Sequence, residues 1–117
     1  MSQMSTALSV KLAADPVRTL AFGSIIGTYV GVGTSFSKPI RMLYVLNTTD
    51  ALLMFSLDGI NDHFPLIASG YIMLDIATNK TLDKGFYLAE GSRIYVKQIG
   101  APGSGSVYVS TFFGATV

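Results

Sequence analysis

Residues 38–57 read KPIRMLYVLNTTDALLMFSL, and their pattern indicates the fold class. Two sets of side chains alternate in its first half, as they do in a β-strand, where successive residues point to opposite faces. One set is Ile40, Met42, Tyr44 and Leu46, and the other is Arg41, Leu43, Val45 and Asn47. Residues 47–50, Asn-Thr-Thr-Asp, are typical of a turn because their side chains bond nearby backbone. Residues 51–57 are almost wholly apolar, which predicts a second strand buried on both faces.

The rest of the chain repeats this pattern of short apolar runs separated by turn residues. Further runs lie at residues 64–68, 71–76, 86–88, 93–98 and 106–113. About eight short strands without a helical period predict a β-sandwich or a barrel and not a parallel sheet. Of these we expect an all-β antiparallel β-sandwich, and eight strands suit a jelly roll, although the sequence does not give the strand order. Residues 15–117 would form this domain. Residues 1–14 are small and polar without a clear period, which predicts an extended N-terminal arm.

The uncharged stretch of residues 19–37 is long enough to be tested as a membrane helix. Gly23, Gly27 and Gly31 have the spacing of a small-residue helix contact. However, the stretch is rich in glycine, serine and threonine, and no basic anchor follows before Lys38. The β-forming residues recur without helical spacing, so a pair of strands punctuated by glycine is the better interpretation. We expect no membrane partner.

Composition excludes several functional classes. The chain has 117 residues, of which 50% are hydrophobic and 13% charged, and its formal net charge is +1. A net charge so close to zero argues against nucleic-acid binding, which needs a basic face. The absence of cysteine excludes disulfides, thiolate metal sites and thiol nucleophiles. Fifteen charged residues cannot cover a domain of this size, so we expect apolar surface that is buried by self-association or by a partner.

One loop carries the residue types of a metal or catalytic site. Asp58, Asn61, Asp62 and His63 offer oxygen and nitrogen ligands, although their spacing differs from that of an EF-hand loop. A catalytic triad would need His63 to pair with a serine, and the sequence has no G-x-S-x-G motif to present one. The favoured interpretation is a polar turn between two strands.

The remaining acidic residues offer little for catalysis. Asp75 lies inside an apolar run and could serve in a glycosidase pair, but Glu90 is the only glutamate. A solvent-facing Asp75 is the more common arrangement. We therefore predict no catalytic residue, no metal and no cofactor, and a protein that is not an enzyme.

Three aromatic residues are the candidates for a binding site. Tyr95, Tyr108 and Phe112 lie in the last two predicted strands and could form a platform for sugar or single-stranded nucleic acid. Arg93 and Lys97 flank Tyr95. Because tyrosine is enriched at protein interfaces, covering a sheet or packing in an interface is the favoured role.

Residues 40–111 also resemble a known family. The resemblance rests on Tyr44-Val45-Leu46-Asn47-Thr48-Thr49-Asp50, Phe55-Ser56-Leu57-Asp58-Gly59, Ile94-Tyr95-Val96-Lys97 and Gly105-Ser106-Val107-Tyr108-Val109-Ser110. These motifs are similar to those of small structural proteins of tailed bacteriophages, especially the jelly-roll cement (decoration) proteins on the heads of short-tailed phages. The resemblance implies a non-catalytic protein on the capsid surface of the virion, assembled in the host cytoplasm. Such a protein binds the major capsid protein across capsomer joints and braces the shell.

We therefore expect a virion structural protein that stabilises the phage head. A head–tail connector or tail component is the alternative within the same class. A carbohydrate-binding β-sandwich module is the rival from another class, followed by a small β-barrel hydrolase. A carbohydrate-binding module would be monomeric alone, whereas a cement protein would self-associate or bind shells.

Overall fold

A computed structural model describes residues 10–75 and 88–116, and nine β-strands form this part of the chain. They are β1 Val10–Ala14, β2 Arg18–Ala21, β3 Val30–Gly31, β4 Met42–Asn47, β5 Leu53–Ser56, β6 Phe64–Leu66, β7 Tyr71–Asp75, β8 Tyr95–Gln98 and β9 Ser106–Thr116. The only helical element in these residues is one 3-10 turn, Phe22–Ser24. The all-β prediction is confirmed.

The strands form two antiparallel sheets that pack into a sandwich. Sheet A has the order β1-β9-β4-β7, with β2 beside β1 along the same edge of β9, and sheet B has the order β3-β8-β5-β6. The pairing is nested along the chain, because β2 pairs with β9, β3 with β8, β4 with β7, and β5 with β6. A long hairpin rolled up in this way is a jelly roll. The predicted β-sandwich is confirmed, and the strand order is the one a jelly roll requires.

The core lies between the sheets and is built by the alternation seen in the sequence. In sheet A, Leu43 and Val45 of β4 are buried, as are Val107 and Val109 of β9. They pack in one cluster with Leu53, Phe55, Ile94 and Val96 from the sheet B side. Since alternate residues of a strand face opposite ways, their neighbours point outward.

The turn after β4 is held by a buried amide. Asn47 is fully buried, and its Nδ2 donates to the carbonyls of Ala51, Leu66 and Ile67 at 2.9, 3.1 and 3.0 Å. Its Oδ1 accepts from the backbone N–H and the hydroxyl of Thr49. One side chain therefore ties the β4–β5 turn to the chain between β6 and β7.

Residues 19–37 contain less strand than the sequence predicts. Strand β2 ends at Ala21 and β3 is two residues long. Irregular backbone supplies the rest, and it still buries Ile25, Val32 and Phe36. Their segment runs beside the chain leading into β8, where Val32 N–H donates to the Ile94 carbonyl and Phe36 N–H to that of Ser92. No helix in the described part of the chain is long and apolar enough to cross a membrane.

The predicted arm lies partly, and one predicted turn wholly, outside the described residues. Val10–Ala14, at the end of the predicted arm, forms β1 and pairs with residues 112–116 of β9. Residues 1–9 fall outside the description, as do residues 76–87, which hold the predicted turn at 77–85 and most of the predicted strand at 86–88. Leu88 itself forms a bridge with Ile40.

Candidate interaction surface

The loop between β5 and β6 uses its polar groups to hold its own backbone. The Asp58 carboxylate accepts from the backbone N–H groups of Ile60 and Asn61, both at 2.8 Å, and from the Asn61 side chain at 2.9 Å. Ser56 Oγ donates to it at 2.8 Å. These hydrogen bonds, led by that from the Asn61 backbone, hold the pKa of Asp58 well below its usual range. The carboxylate acts as the centre of a turn.

His63 closes the same loop. The Leu57 backbone N–H donates to its Nδ1 at 2.9 Å, and its Nε2 lies 4.0 Å from Asp58 Oδ2. The Ser56 hydroxyl is bonded to Asp58 and not to His63. No group of three or more His, Asp or Glu residues in the described part of the chain is arranged to hold a metal. The arrangement is that of a polar turn joining two strands.

The glycosidase candidates lie in different elements of the sandwich. Asp75 ends β7 in sheet A, opposite Met42 of β4. Glu90 is an exposed residue of the turn that precedes β8 in sheet B. Neither is adjacent to His63 in the sheets.

A cleft beside β2 is lined by Asp15, Arg18, Gly33 and Ser35 among others. Arg18 is the cation of this cleft, and its side chain is only 9% exposed. Its guanidinium donates to the Thr34 carbonyl at 2.8 Å and to Thr111 Oγ1 at 3.0 Å. It also lies 3.5 Å from Asp15 Oδ2. Because these donors already have partners, Arg18 holds the adjacent loop in place and does not serve as an anion receptor.

The outward face of sheet B, which we call the outer B face, consists of Gly31, Met54, Ser56, Pro65, Tyr95 and Lys97, with Arg93 beside them. The chain itself covers much of this face. Gly59 packs on the Tyr95 ring, where a Cβ would come within 3.2 Å of a ring carbon. The Arg93 guanidinium lies 5.9 Å from the centre of the Tyr95 ring. Tyr95 is therefore a packed residue of the loop and sheet.

Lys97, the charged strand residue of the outer B face, is paired within the chain. Lys97 Nζ lies 3.0 Å from Asp62 Oδ1 and 4.8 Å from the centre of the Tyr29 ring. The Tyr29 hydroxyl donates to Asp62 Oδ1 at 2.6 Å. Partial burial and this hydrogen bond raise the pKa of Tyr29. The hydrogen bonds from Tyr29 and Lys97 lower the pKa of Asp62.

The outward face of sheet A, the outer A face, has the opposite character. It consists of Leu12 and Ala14 of β1, Thr19 of β2, Met42, Tyr44 and Leu46 of β4, Tyr71, Met73 and Asp75 of β7, and Tyr108, Ser110 and Phe112 of β9. Among the described residues of this face, Asp75 at its margin is the one that is charged. Tyr71 and Met73 remain 64% and 59% exposed, and the Tyr44 and Tyr71 rings lie 5.7 Å apart. The result is a continuous apolar and aromatic surface.

The structure separates the three aromatic candidates. Tyr108 and Phe112 lie on the outer A face with Ser110 between them, whereas Tyr95 lies on the outer B face. They therefore do not form one platform. The sequence did not predict this, because the position of a strand in the sequence does not show which sheet it joins. Sequence reasoning also missed Tyr44, Tyr71 and Met73. The signal was present in β4, where both alternating sets of residues are largely apolar.

Searches of family models, curated proteins and solved structures find no match to this chain.

Proposed function

We propose that this chain is a non-catalytic structural protein of a phage virion, which binds the major capsid protein across capsid subunits and stabilises the head. The observation that carries the proposal is the outer A face. Antiparallel sheets commonly bury one face and expose a polar one to water. Here the exposed face holds aromatic and aliphatic side chains, and a contiguous patch of this kind marks an interaction site.

The architecture and the resemblance support the same proposal from other directions. Jelly rolls occur in viral capsid proteins, although they also occur in lectins, so the fold alone does not assign a function. The resemblance of residues 40–111 to phage cement proteins favours the capsid. Two of its motifs, at residues 44–50 and 105–110, contribute Tyr44, Leu46, Tyr108 and Ser110 to the outer A face.

The carbohydrate-binding alternative has weaker support. A sugar platform needs an open aromatic face. Tyr95 has Gly59 and Arg93 against its ring, and the Tyr29 ring has Lys97 over it. Among the described residues of the outer A face, Tyr71 is the open aromatic residue, and it lies beside Tyr44, Leu46 and Met73. That surface suits a protein partner better than a glycan.

The experiment is co-sedimentation of the full chain with capsid shells assembled from the major capsid protein encoded beside its gene. We expect saturable binding that changes little between low and physiological salt, because exposed ion pairs contribute only about 0–1 kcal/mol each. A gene neighbourhood without capsid genes, or shells that sediment without the protein, would contradict the proposal. Location on purified tails instead of heads would favour the connector or tail alternative.

A further inference from the structure

The loops at one end of the sandwich carry a second exposed apolar surface. The β2–β3, β4–β5, β6–β7 and β8–β9 connections all lie at this end, because Ala21 is paired with Ser106 in sheet A and Leu53 with both Leu66 and Gln98 in sheet B. Five of their large apolar side chains are between 38% and 70% exposed, and we call this set the apolar tip: Phe22, Ile26, Leu52, Ile67 and Ile99. We infer that the apolar tip inserts into the surface of a lipid bilayer.

Hydrogen bonds between the loops bring the residues of the apolar tip together. The Ile26 carbonyl accepts at 2.8 Å from the last backbone N–H of β8, directly before Ile99. The Ile99 N–H in turn donates to the Leu52 carbonyl at 3.2 Å. Asn47 then joins the β4–β5 turn to the Ile67 carbonyl through its side-chain amide. The exposed apolar side chains are therefore neighbours at one end of the molecule.

The loops of this end carry almost no charge. Within residues 22–29, 48–52, 67–70 and 99–105, all of which the structure describes, Asp50 is the one charged residue. Its carboxylate accepts from the Gly103 backbone N–H at 2.8 Å. The loops of the opposite end contain many more charges, among them Lys38, Arg41, Asp58, Asp62, Glu90 and Arg93. The sandwich therefore has one end suited to an apolar phase and one end suited to water.

The backbone of the apolar tip is suited to a medium without water. In four of its five residues the carbonyl accepts a hydrogen bond from a backbone N–H of the chain, at 2.8–3.2 Å. The donors are Ile25 for Phe22, Gln98 for Ile26, Ile99 for Leu52 and Gly70 for Ile67. A polar backbone group without a partner is costly in hydrocarbon, where no water replaces the missing bond. These loops can enter a bilayer without leaving those carbonyls unpaired.

The kinds of residue in the apolar tip favour lipid over a protein partner. Protein interfaces are enriched in tyrosine, methionine and arginine, and the outer A face has this character in Tyr71 and Met73. The apolar tip instead consists of three isoleucines, one leucine and one phenylalanine, spread over four separate turns. Separate turns can each place a side chain among fluid acyl chains, whereas a protein partner would need a matching set of pockets. The strength of such interfacial binding scales with the apolar area that is buried.

Shallow insertion of this kind leaves no local signal in the sequence. The sequence predicts no membrane partner because it offers no convincing spanning helix, and loops that enter only the bilayer surface need none. The five residues come from distant parts of the chain and meet only in the folded sandwich. Because these loops contain no lysine or arginine, we expect binding that does not depend on anionic headgroups or on salt.

The first test is co-sedimentation of the full chain with phosphatidylcholine vesicles, alone or with added phosphatidylserine. We expect similar binding to both kinds of vesicle at low and at physiological salt. Ile26→Asp with Ile67→Asp should lower the partition coefficient roughly tenfold or more, because a carboxylate is costly to bury in hydrocarbon. The matched control is Val17→Asp with Ile60→Asp, at positions that are 54% and 80% exposed and lie away from the apolar tip. The control should bind like the wild type, and circular dichroism should show that both variants are folded.

The second test reports insertion directly. The chain has no tryptophan, so Phe22→Trp and Ile60→Trp each introduce a single fluorophore. We expect vesicles to shift the emission of the fluorophore at position 22 to shorter wavelength, and brominated acyl chains to quench it. The fluorophore at position 60 should show neither effect. Equal responses at the two positions would contradict insertion by the apolar tip.

The outcomes separate this inference from the proposed function. No binding to either kind of vesicle, binding that requires phosphatidylserine, or an equal loss in both variant pairs would overturn the inference. If capsid shells are bound and vesicles are not, the inference fails and the proposed function stands. If the Ile26 and Ile67 changes weaken shell binding but not vesicle binding, the apolar tip is a protein contact and the inference fails. Vesicle binding by a chain that does not bind shells would support the inference and contradict the proposed function.

Discussion

The two outer faces of the sandwich differ in what covers them. Each is the outward side of an antiparallel sheet whose inward side builds the core. On the outer B face, the loop between β5 and β6 folds over the sheet, and Lys97 is paired with Asp62. On the outer A face, Tyr71 and Met73 remain exposed. One face is therefore covered by a loop of the chain itself, whereas the other is open and is the binding surface of the proposed function.

The contrast between the two faces requires that the two sheets keep their positions. The first test changes Asn47, whose hydrogen bonds tie the β4–β5 turn to the chain between β6 and β7. Replacing Asn47 with Ala removes the donors to the Ala51, Leu66 and Ile67 carbonyls and the acceptor for Thr49. Each buried polar group left without a partner costs about 1–3 kcal/mol. We expect a loss of about 3 kcal/mol or more in the free energy of unfolding, measured by urea denaturation.

The control for this change is Asn61→Ala, which removes an amide from the exposed loop. Its side chain donates only to Asp58 among the bonds described above. Exposed substitutions of this kind usually change stability by less than about 1 kcal/mol. Equal losses for the two variants would show that Asn47 does not have the role assigned to it.

A substitution at Gly59 should disturb the packing of the outer B face alone. Its φ is +75°, a conformation that side chains rarely adopt, and an added Cβ would press on the Tyr95 ring. We expect Gly59→Ala to destabilise the fold by about 1–2 kcal/mol, measured by thermal or urea unfolding.

Gly23→Ala is the comparison for Gly59. No atom lies within 4 Å of the position of its Cβ, and its φ lies outside the left-handed region. This variant should be neutral or slightly more stable, because alanine restricts the unfolded chain. If both glycines tolerate alanine equally, Tyr95 is not packed by the loop as described.

We also expect the pH dependence of the free energy of unfolding to come mainly from carboxylates on the outer B side. The folded state lowers the pKa of Asp58 and of Asp62, so it binds these protons less tightly than the unfolded chain does. Stability from these groups is fully present above the unfolded pKa of about 4, and is lost as pH falls below it.

We therefore expect urea midpoints to fall between about pH 5 and pH 2, and to fall less steeply in Asp58→Asn than in the wild type. Asp50→Asn is the control, since Asp50 accepts a backbone bond from Gly103 in a different exposed loop. An unchanged slope for Asp58→Asn would contradict the role of its carboxylate in the turn.

The sequence predicts most of the elements but not their arrangement. The alternation in β4 and β9 is local, and both strands appear where it indicates, with Val45 and Val109 facing the core. The nested strand pairs are contacts between distant residues, such as Arg18 with Val109, which no local pattern encodes. The outer A face was missed for the same reason, because Tyr71 and Tyr108 meet the same residue, Leu46, only after β4 is inserted between β7 and β9.

The most direct test of the proposed binding surface compares the two faces in one measurement. The fraction of protein bound to capsid shells is determined at one total concentration for the wild type, for Tyr71→Lys with Met73→Lys, and for the control pair Ile60→Lys with Ile99→Lys, whose exposed side chains lie off the outer A face. We predict that the control pair binds like the wild type. The Tyr71 and Met73 pair should lose roughly tenfold or more in affinity, while circular dichroism shows an intact fold. Equal binding by both pairs would contradict a role of the outer A face in shell binding.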